Sequence, residues 1–170
     1  LREPSNCLFL APLQQQVEGI VRPILNHILR GCPIEFGLRW RRNQLKIRNP
    51  AWKTPGFSTF TWLGADKATG RHIRGLPSQN MVILDEAGFI ENLDKLVDRV
   101  LVYLLHQQKE PVMVMATTPS ESLAHPFIVR FLKQAQDAGC YRRIRASENP
   151  DFTQADKKAI LDANGKDENS

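Results

Sequence analysis

The chain has 170 residues, 42% hydrophobic and 24% charged, which suits one folded domain and excludes wholesale disorder and collagen-like repeats. Lysine plus arginine outnumber the acids 23 to 18, a net charge of +5 that leans toward polyanionic partners. Three cysteines (Cys7, Cys32, Cys140) without a Cys-x-x-Cys pair argue against a disulfide framework or zinc site and for a reducing, intracellular setting; no apolar run approaches the roughly 18 residues of a membrane span, and no signal peptide is expected.

Cys7 to Ala11 is a short apolar run ending at Pro12 and reads as a buried strand. Leu13 to Arg30 has helical spacing, with Val17, Ile20, Val21, Ile24, Leu25, Ile28 and Leu29 on one stripe. Pro23 predicts a kink or break within it, and Gly31 followed by Pro33 ends it. Leu38 to Ile47 is basic and polar. Leu45 to Arg48 and Phe57 to Leu63 alternate as strands do, and Gly64 to Asn80 is a polar loop. Met81 to Leu84 is a second buried strand. A helix follows through Leu93, Leu96, Val97, Val100, Leu101 and Leu104, with Asn92 as its N-cap. Val112 to Ala116 is a third buried strand, Phe127 to Ala138 a helix, and Tyr141 to Ala146 a basic strand. Thr153 with Asp156 forms a capping box before a last short helix, and Asn164 to Ser170 is a polar tail.

Strands alternating with helices predict a three-layer α/β domain with a mostly parallel sheet. Ligands in such sheets gather at the carboxyl ends of strands, so the polar tails Pro12-Leu13-Gln14, Asp85-Glu86 and Thr117-Thr118-Pro119 matter most. Met81 to Glu86 has the form of a Walker B strand. Its first acid can hold magnesium that bridges nucleotide phosphates, and its second can orient an attacking water. The bland alternative is an acidic pair that caps the next helix. Hydroxyls at Thr117 and Thr118 can sense a γ-phosphate, or simply make a turn. Arg74, with Arg71 as competitor, either stabilises transition-state charge or is solvated. No G-x-x-x-x-G-K-S/T loop is present; the stretch from Gly64 to Gly70 has the wrong spacing, and Gly165-Lys166 lacks the earlier glycine. Arg39, Arg41, Arg42 and Lys46, with Trp40, Arg48, Trp52 and Lys53 close by, are DNA-contact candidates, because cations neutralise phosphates and indoles stack on bases. The alternative is an ordinary solvated sheet edge. Arg142, Arg143 and Arg145 form a second basic stretch. His27, His72, His106 and His125 lack metal-ligand spacing. Ser120 and Ser122 lack a hydrolase-elbow context.

In this order, the segments FLAPLQQQVEGI, the Arg74-Gly75 loop, VILDEA, MVMATTPSES, HPF and SENPDFT resemble the ATPase domain of phage large terminase subunits. The resemblance implies a RecA-like P-loop NTPase core that is N-terminally incomplete, spanning residues 1–147. Residues 148–170 would be a linker and short helix leading toward a nuclease domain. It further implies that Asp85 holds Mg2+, that Glu86 activates water for ATP hydrolysis, and that Thr117, Thr118 and Pro119 couple hydrolysis to movement. Arg74 is similar to an arginine acting across a subunit ring. One departure is Ser120-Glu121-Ser122, where the family often has glycine. The implied partners are double-stranded viral DNA, a portal ring, a small terminase subunit and further copies in a homo-oligomeric ring, with no membrane. The setting would be the cytoplasm of the infected bacterial host, transiently at the procapsid vertex. Two other readings share these residues: a superfamily 2 helicase or translocase fragment, and a degenerate, non-hydrolysing nucleic-acid-binding module. Without its phosphate loop, the chain itself is expected to hydrolyse ATP poorly.

Overall fold

The computed structural model describes residues 3–32, 35–65, 71–118, 122–145, 148, 153, 155 and 158, without the side chains of residues 71 and 72. Pro33, the 66–70 stretch, Pro119 to Glu121, Ala146, Asp156 and the polar tail lie outside the described residues. The chain divides into two compact units, Leu1–Lys133 and Gln134–Ser170.

The first unit is built on a six-stranded sheet of order β2-β3-β4-β1-β5-β6. Its strands are β1 (Asn6–Ala11), β2 (Gly37–Arg41), β3 (Gln44–Arg48), β4 (Ser58–Gly64), β5 (Met81–Leu84) and β6 (Val112–Met115). β4, β1, β5 and β6 pair in parallel, and β3 and β2 extend the sheet antiparallel. The two-residue side-chain period then sorts β1 into two cores. Leu8 and Leu10, beside Val82 and Leu84 of β5, belong to one; Ala11 and Phe9, with Trp62, Phe60 and Leu45, belong to the other. β2 was not foreseen, although Leu38 and Trp40 alternate with Arg39 and Arg41 as a half-buried strand should.

Helix α1 (Gln14–Arg30) covers the second core and buries Val17 and Val21. Leu25 and Leu29 are half-buried, whereas Ile20, Ile24 and Ile28 are 48%, 51% and 58% exposed. The apolar stripe is wider than the contact it makes, so its outer edge faces solvent. Of the kink or break expected at Pro23, the break does not occur: the helix runs on through it. Pro23 and Gly19, whose carbonyl loses its helical partner, are both exposed, and water can take that carbonyl.

The first core lies under a continuous helical rod: α3 (Leu93–Leu96), a π-helical stretch (Val97–Leu101) and α4 (Val102–Leu105). Leu93, Leu96, Val97, Val100, Leu101, Leu104 and Leu105 are buried along it. Each fully buried leucine contributes roughly 1.5–3 kcal/mol. Asn92 precedes the rod in a left-handed conformation (φ 52°), but its side chain does not cap. Its Oδ1 instead accepts a hydrogen bond from Lys95 Nζ at 2.9 Å. A second π-helical stretch (Phe127–Leu132) is tied to the rod by Arg130, whose guanidinium donates to both carboxylate oxygens of Asp98 at 2.7 and 2.8 Å. That bidentate hydrogen bonding holds the Asp98 carboxyl below its usual range.

Helix α5 (Lys133–Asp137) leads into the second unit. It stops at Gly139 (φ 67°), where Gly139 N–H donates to Gln136 O and Cys140 N–H to Ala135 O, the paired closure that a left-handed glycine permits. The strand expected over Tyr141 to Ala146 is absent among the described residues. Tyr141 and Ile144 are 43% and 73% exposed, and no strand among the described residues takes their backbone groups. Local polar contacts organise the segment instead: Arg145 N–H donates to Glu148 Oε1 at 3.2 Å, and Arg142 pairs with Glu148 at 3.6 Å.

Candidate active site at the carboxyl ends of β5 and β6

The chain leaves β5 with its backbone still engaged on both sides. Asp85 N–H donates to Leu10 O at 2.8 Å, Ala116 N–H to Leu84 O at 2.8 Å, and Ala87 N–H to Ala116 O at 3.0 Å. Between these fixed points Glu86 adopts a left-handed conformation (φ 49°, ψ 42°), which is uncommon for a side chain of this kind. The turn separates the two acids. Asp85 Oδ1 accepts the N–H of Glu86 at 3.1 Å. Glu86 Oε2 reaches the end of β6, where it accepts Thr118 N–H at 3.2 Å, Thr118 Oγ1 at 3.0 Å and Thr117 Oγ1 at 3.3 Å. The Thr117 hydroxyl also accepts Gly88 N–H at 3.2 Å, and its single proton has a second acceptor in Thr118 O at 2.7 Å. Asp85, Glu86 and Thr117 are half-buried and Thr118 is exposed. Of the four residues expected from sequence to act together at the strand ends, Glu86, Thr117 and Thr118 are joined by their side chains, and Asp85 bonds to the Glu86 backbone. Pro119 lies outside the described residues.

Two further side chains support these strand ends, Gln14 from the tail singled out in sequence and His125, whose part was not anticipated. Gln14 Oε1, at the start of α1, accepts Gly64 N–H at 2.7 Å and pins the carboxyl end of β4. His125 Nδ1 accepts Phe127 N–H at 3.1 Å, so Nε2 carries the proton and donates to Ile90 O at 3.1 Å. His125 thus fastens the short 3-10 turn Ala87–Phe89 that follows Glu86 to the start of the Phe127 helix.

The basic candidates separate by register. Arg39 stands opposite Lys46, Arg41 opposite Gln44, and Gly37 opposite Arg48. Directly opposed residues share a face, so Arg39, Arg41, Lys46 and Arg48 form one cationic face of the β2–β3 hairpin. Leu38, Trp40, Leu45 and Ile47 form the other, with Leu45 at the second core. None of the four cations pairs with an acid among the described residues, and Arg39 stacks on the Phe57 ring at 4.9 Å. Arg42, in the turn, instead pairs with Glu18 of α1 at 3.6 Å. Trp40 is half-buried against Trp62, ring centroids 6.3 Å apart. Arg74, in helix α2 (Arg71–Arg74), lines a groove with Pro77 and Ser78, which lead into the amino end of β5. Asp85 and Glu86 stand at the other end of that strand. The Arg71 side chain lies outside the described residues.

The same arrangement of strands and helices occurs in proteins of known structure. The large terminase of a thermophilic bacteriophage superposes with a TM-score of 0.72 over 94% of this chain, at 14% identity, and this chain spans 37% of its length. The fold is that of a phage large terminase ATPase domain. The ATPase domain of the Thermus phage P74-26 large terminase aligns over 70% of this chain and 49% of its own, with 23% identity and a TM-score of 0.53. The HK97 bacteriophage large terminase aligns over 97% and 33%, with 14% identity and a TM-score of 0.59. No family model and no curated protein sequence matches the chain. The thermophilic terminase has also been solved with ATP-gamma-S and with ADP.

Within this terminase fold the Asp85 carboxylate fits a metal-bound nucleotide in one respect. Oδ1 is engaged by backbone while Oδ2 accepts no hydrogen bond among the described residues. No group of three or more His, Cys, Asp or Glu that could hold an ion by itself occurs among the described residues. A magnesium ion here would draw its remaining ligands from phosphate and water, as magnesium in nucleotide sites does. No described helix is long and apolar enough to cross a membrane.

Proposed function

We propose that the chain is the central part of the ATPase of a phage DNA-packaging motor. The observation that carries this reading is the Glu86 carboxylate, held by Thr117 and Thr118 across the ends of two adjacent parallel strands in a terminase-like sheet. In this reading Glu86 takes a proton from, and orients, the attacking water. Asp85, the Walker B aspartate, would hold Mg2+, which when bound shields phosphate charge. The threonines tie the position of the Glu86 carboxylate to that of β6, so a change at the nucleotide is transmitted to the sheet. Arg74 lines a groove with residues that lead into the amino end of β5, and in this reading it acts on a neighbouring subunit of a ring.

β6 supports a phosphate-binding strand outside residues 1–170. It ends the sheet among the described residues, and Val112, Met113 and Val114 are 43%, 37% and 44% exposed, whereas strands of parallel sheets are covered on both faces. A further parallel strand beside β6 would bring a phosphate loop to the Glu86 end. In this reading, residues 1–147 belong to the RecA-like core and residues 148–170 lead to a nuclease domain. The cationic face of the β2–β3 hairpin takes double-stranded DNA, and the motor works with a portal ring and small subunit in the host cytoplasm at the procapsid vertex.

The test uses the longer polypeptide that carries the phosphate loop. Glu86→Gln and Glu86→Ala are expected to lower ATP turnover by about a hundredfold or more, in line with the loss of a positioned general base, while a fluorescent ATP analogue still binds. Turnover at the unsubstituted rate would reject the assignment. A non-hydrolysing DNA-binding module is the second reading, favoured by the unpaired cations of the hairpin. DNA binding with no ATPase activity in the longer polypeptide would select it.

A further inference from the structure

A groove of about 420 Å³ lies on the first unit between the segment after α2 and the outer side of the helical rod. Arg74 and Arg99 stand on it, with Tyr103 and Gln107 beside them, above an apolar floor that includes Leu76 and Val100. Neither arginine pairs with an acid among the described residues. The acid nearest Arg99 in sequence, Asp98, is taken by both guanidinium nitrogens of Arg130. Tyr103 is 70% exposed, so its ring is open to a partner. Arg99 rides on the π-helical stretch, a local widening that recurs at functional sites.

The groove is rigid at its base. Gln108 Nε2 donates to Ser78 Oγ at 2.8 Å, Asn80 Nδ2 donates to Gln108 Oε1 at 2.7 Å, and Asn6 Nδ2 donates to Ser78 O at 3.0 Å. Gln79 N–H donates to Leu104 O at 2.8 Å. These bonds fix the loop that forms one wall to the rod that forms the other, so the two guanidinium groups project from a preformed frame.

We propose that this groove binds an acidic peptide segment in which carboxylates alternate with aliphatic side chains. Two guanidinium groups, a phenol and an amide offer donors to carboxylates, and the Leu76–Val100 floor takes the intervening apolar side chains. A DNA duplex is a poorer fit, because its phosphates lie on a convex rod and carry nothing apolar to fill a concave floor. The hairpin face, flat and without such a floor, is the surface that suits DNA. Arg74 is also the arginine assigned above to a neighbouring subunit, so the test rests on Arg99 and Tyr103, which the ATPase reading does not use.

The test is fluorescence anisotropy with the full-length protein and a fluorescein-labelled peptide of alternating glutamate and leucine. Saturable binding is expected. Arg99→Gln and Tyr103→Ala should each weaken it about tenfold, the scale of one charge-assisted contact or one aromatic anchor. Arg99→Glu should abolish it, and Arg99→Lys should retain most of it. Both positions are exposed, and circular dichroism of each variant checks that it folds. Arg39→Gln and Glu86→Gln should bind the peptide as the unsubstituted protein does. Equal binding of the glutamine-for-glutamate peptide, or no effect of Arg99→Glu, would overturn the proposal. So would a labelled DNA duplex that depends on Arg99 where the peptide does not.

Discussion

Glu86 combines an uncommon backbone conformation with a fixed carboxylate, and both follow from its position between two backbone hydrogen bonds of the sheet. Cys7 shows the opposite side of that order. It lies on β1 between β4 and β5, and burial pushes its thiol up to about 11. Cys140 is exposed. The thiolate is the reactive form, so near pH 8 Ellman's reagent should label Cys7 at least about a hundredfold more slowly than Cys140. The Cys7 rate should climb as pH rises from about 9 to 11. The same shift has a sign for stability. The native state favours the neutral thiol, so its contribution is full below the unfolded pKa of about 8.5 and is lost as pH rises toward 11. Equal labelling of the two cysteines at pH 8 would mean that β1 is not held between its neighbours. The place of the acidic pair was legible in sequence, because an apolar run that stops at Asp85-Glu86 sets both acids at the carboxyl end of a buried strand. The left-handed turn at Glu86 was not, because it is imposed by where Leu10, Leu84 and Ala116 accept or donate.

Among the elements, the β2–β3 hairpin shows why composition and register must be read together. Arg39, Trp40, Arg41 and Arg42 read as one basic cluster in sequence. Pairing with β3 sends Arg39 and Arg41 to one face with Lys46 and Arg48, while Arg42 turns to Glu18. If that face meets duplex phosphates, each contact contributes about 0.9 to the slope of log K against log salt. Replacing Arg39 and Lys46 together with glutamine should reduce the slope measured by filter binding by about 2, whereas Arg42→Gln should change it by much less. A slope unaffected by the double substitution would move DNA off this face. The absent strand at Tyr141 to Ala146 is the complementary case. Alternation in sequence permits a strand, but a strand also needs a neighbour to take its backbone groups, and none is present among the described residues. Asn92 and Pro23 teach the same lesson for helices. One is a cap in type but bonds to Lys95, and the other is a breaker in type but sits where water can reach the freed carbonyl.

For the molecule as a whole, the alternation of strands and helices announced a three-layer α/β arrangement, and the two cores on either side of β1 follow from it. The order of strands was not legible, because β4 reaches β1 only after α1 and the antiparallel hairpin have passed, and no local pattern records that return. The strand order is what makes β6 informative. A parallel strand rich in valine and methionine, with Val112, Met113 and Val114 exposed and one edge unpaired among the described residues, is a template for another chain. The 170-residue chain should therefore self-associate at micromolar concentration in sedimentation velocity, and Val114→Lys should shift it toward the monomer, since a lysine on an edge strand opposes further pairing. Val114 is 44% exposed, so the substitution should cost little stability. The longer polypeptide, with a strand laid along β6, should show no such edge-driven association, and there Val114→Lys should instead destabilise the sheet. A monomeric 170-residue chain at those concentrations would mean that something within residues 1–170 already covers the edge, and the proposed place for the phosphate-binding strand would be lost.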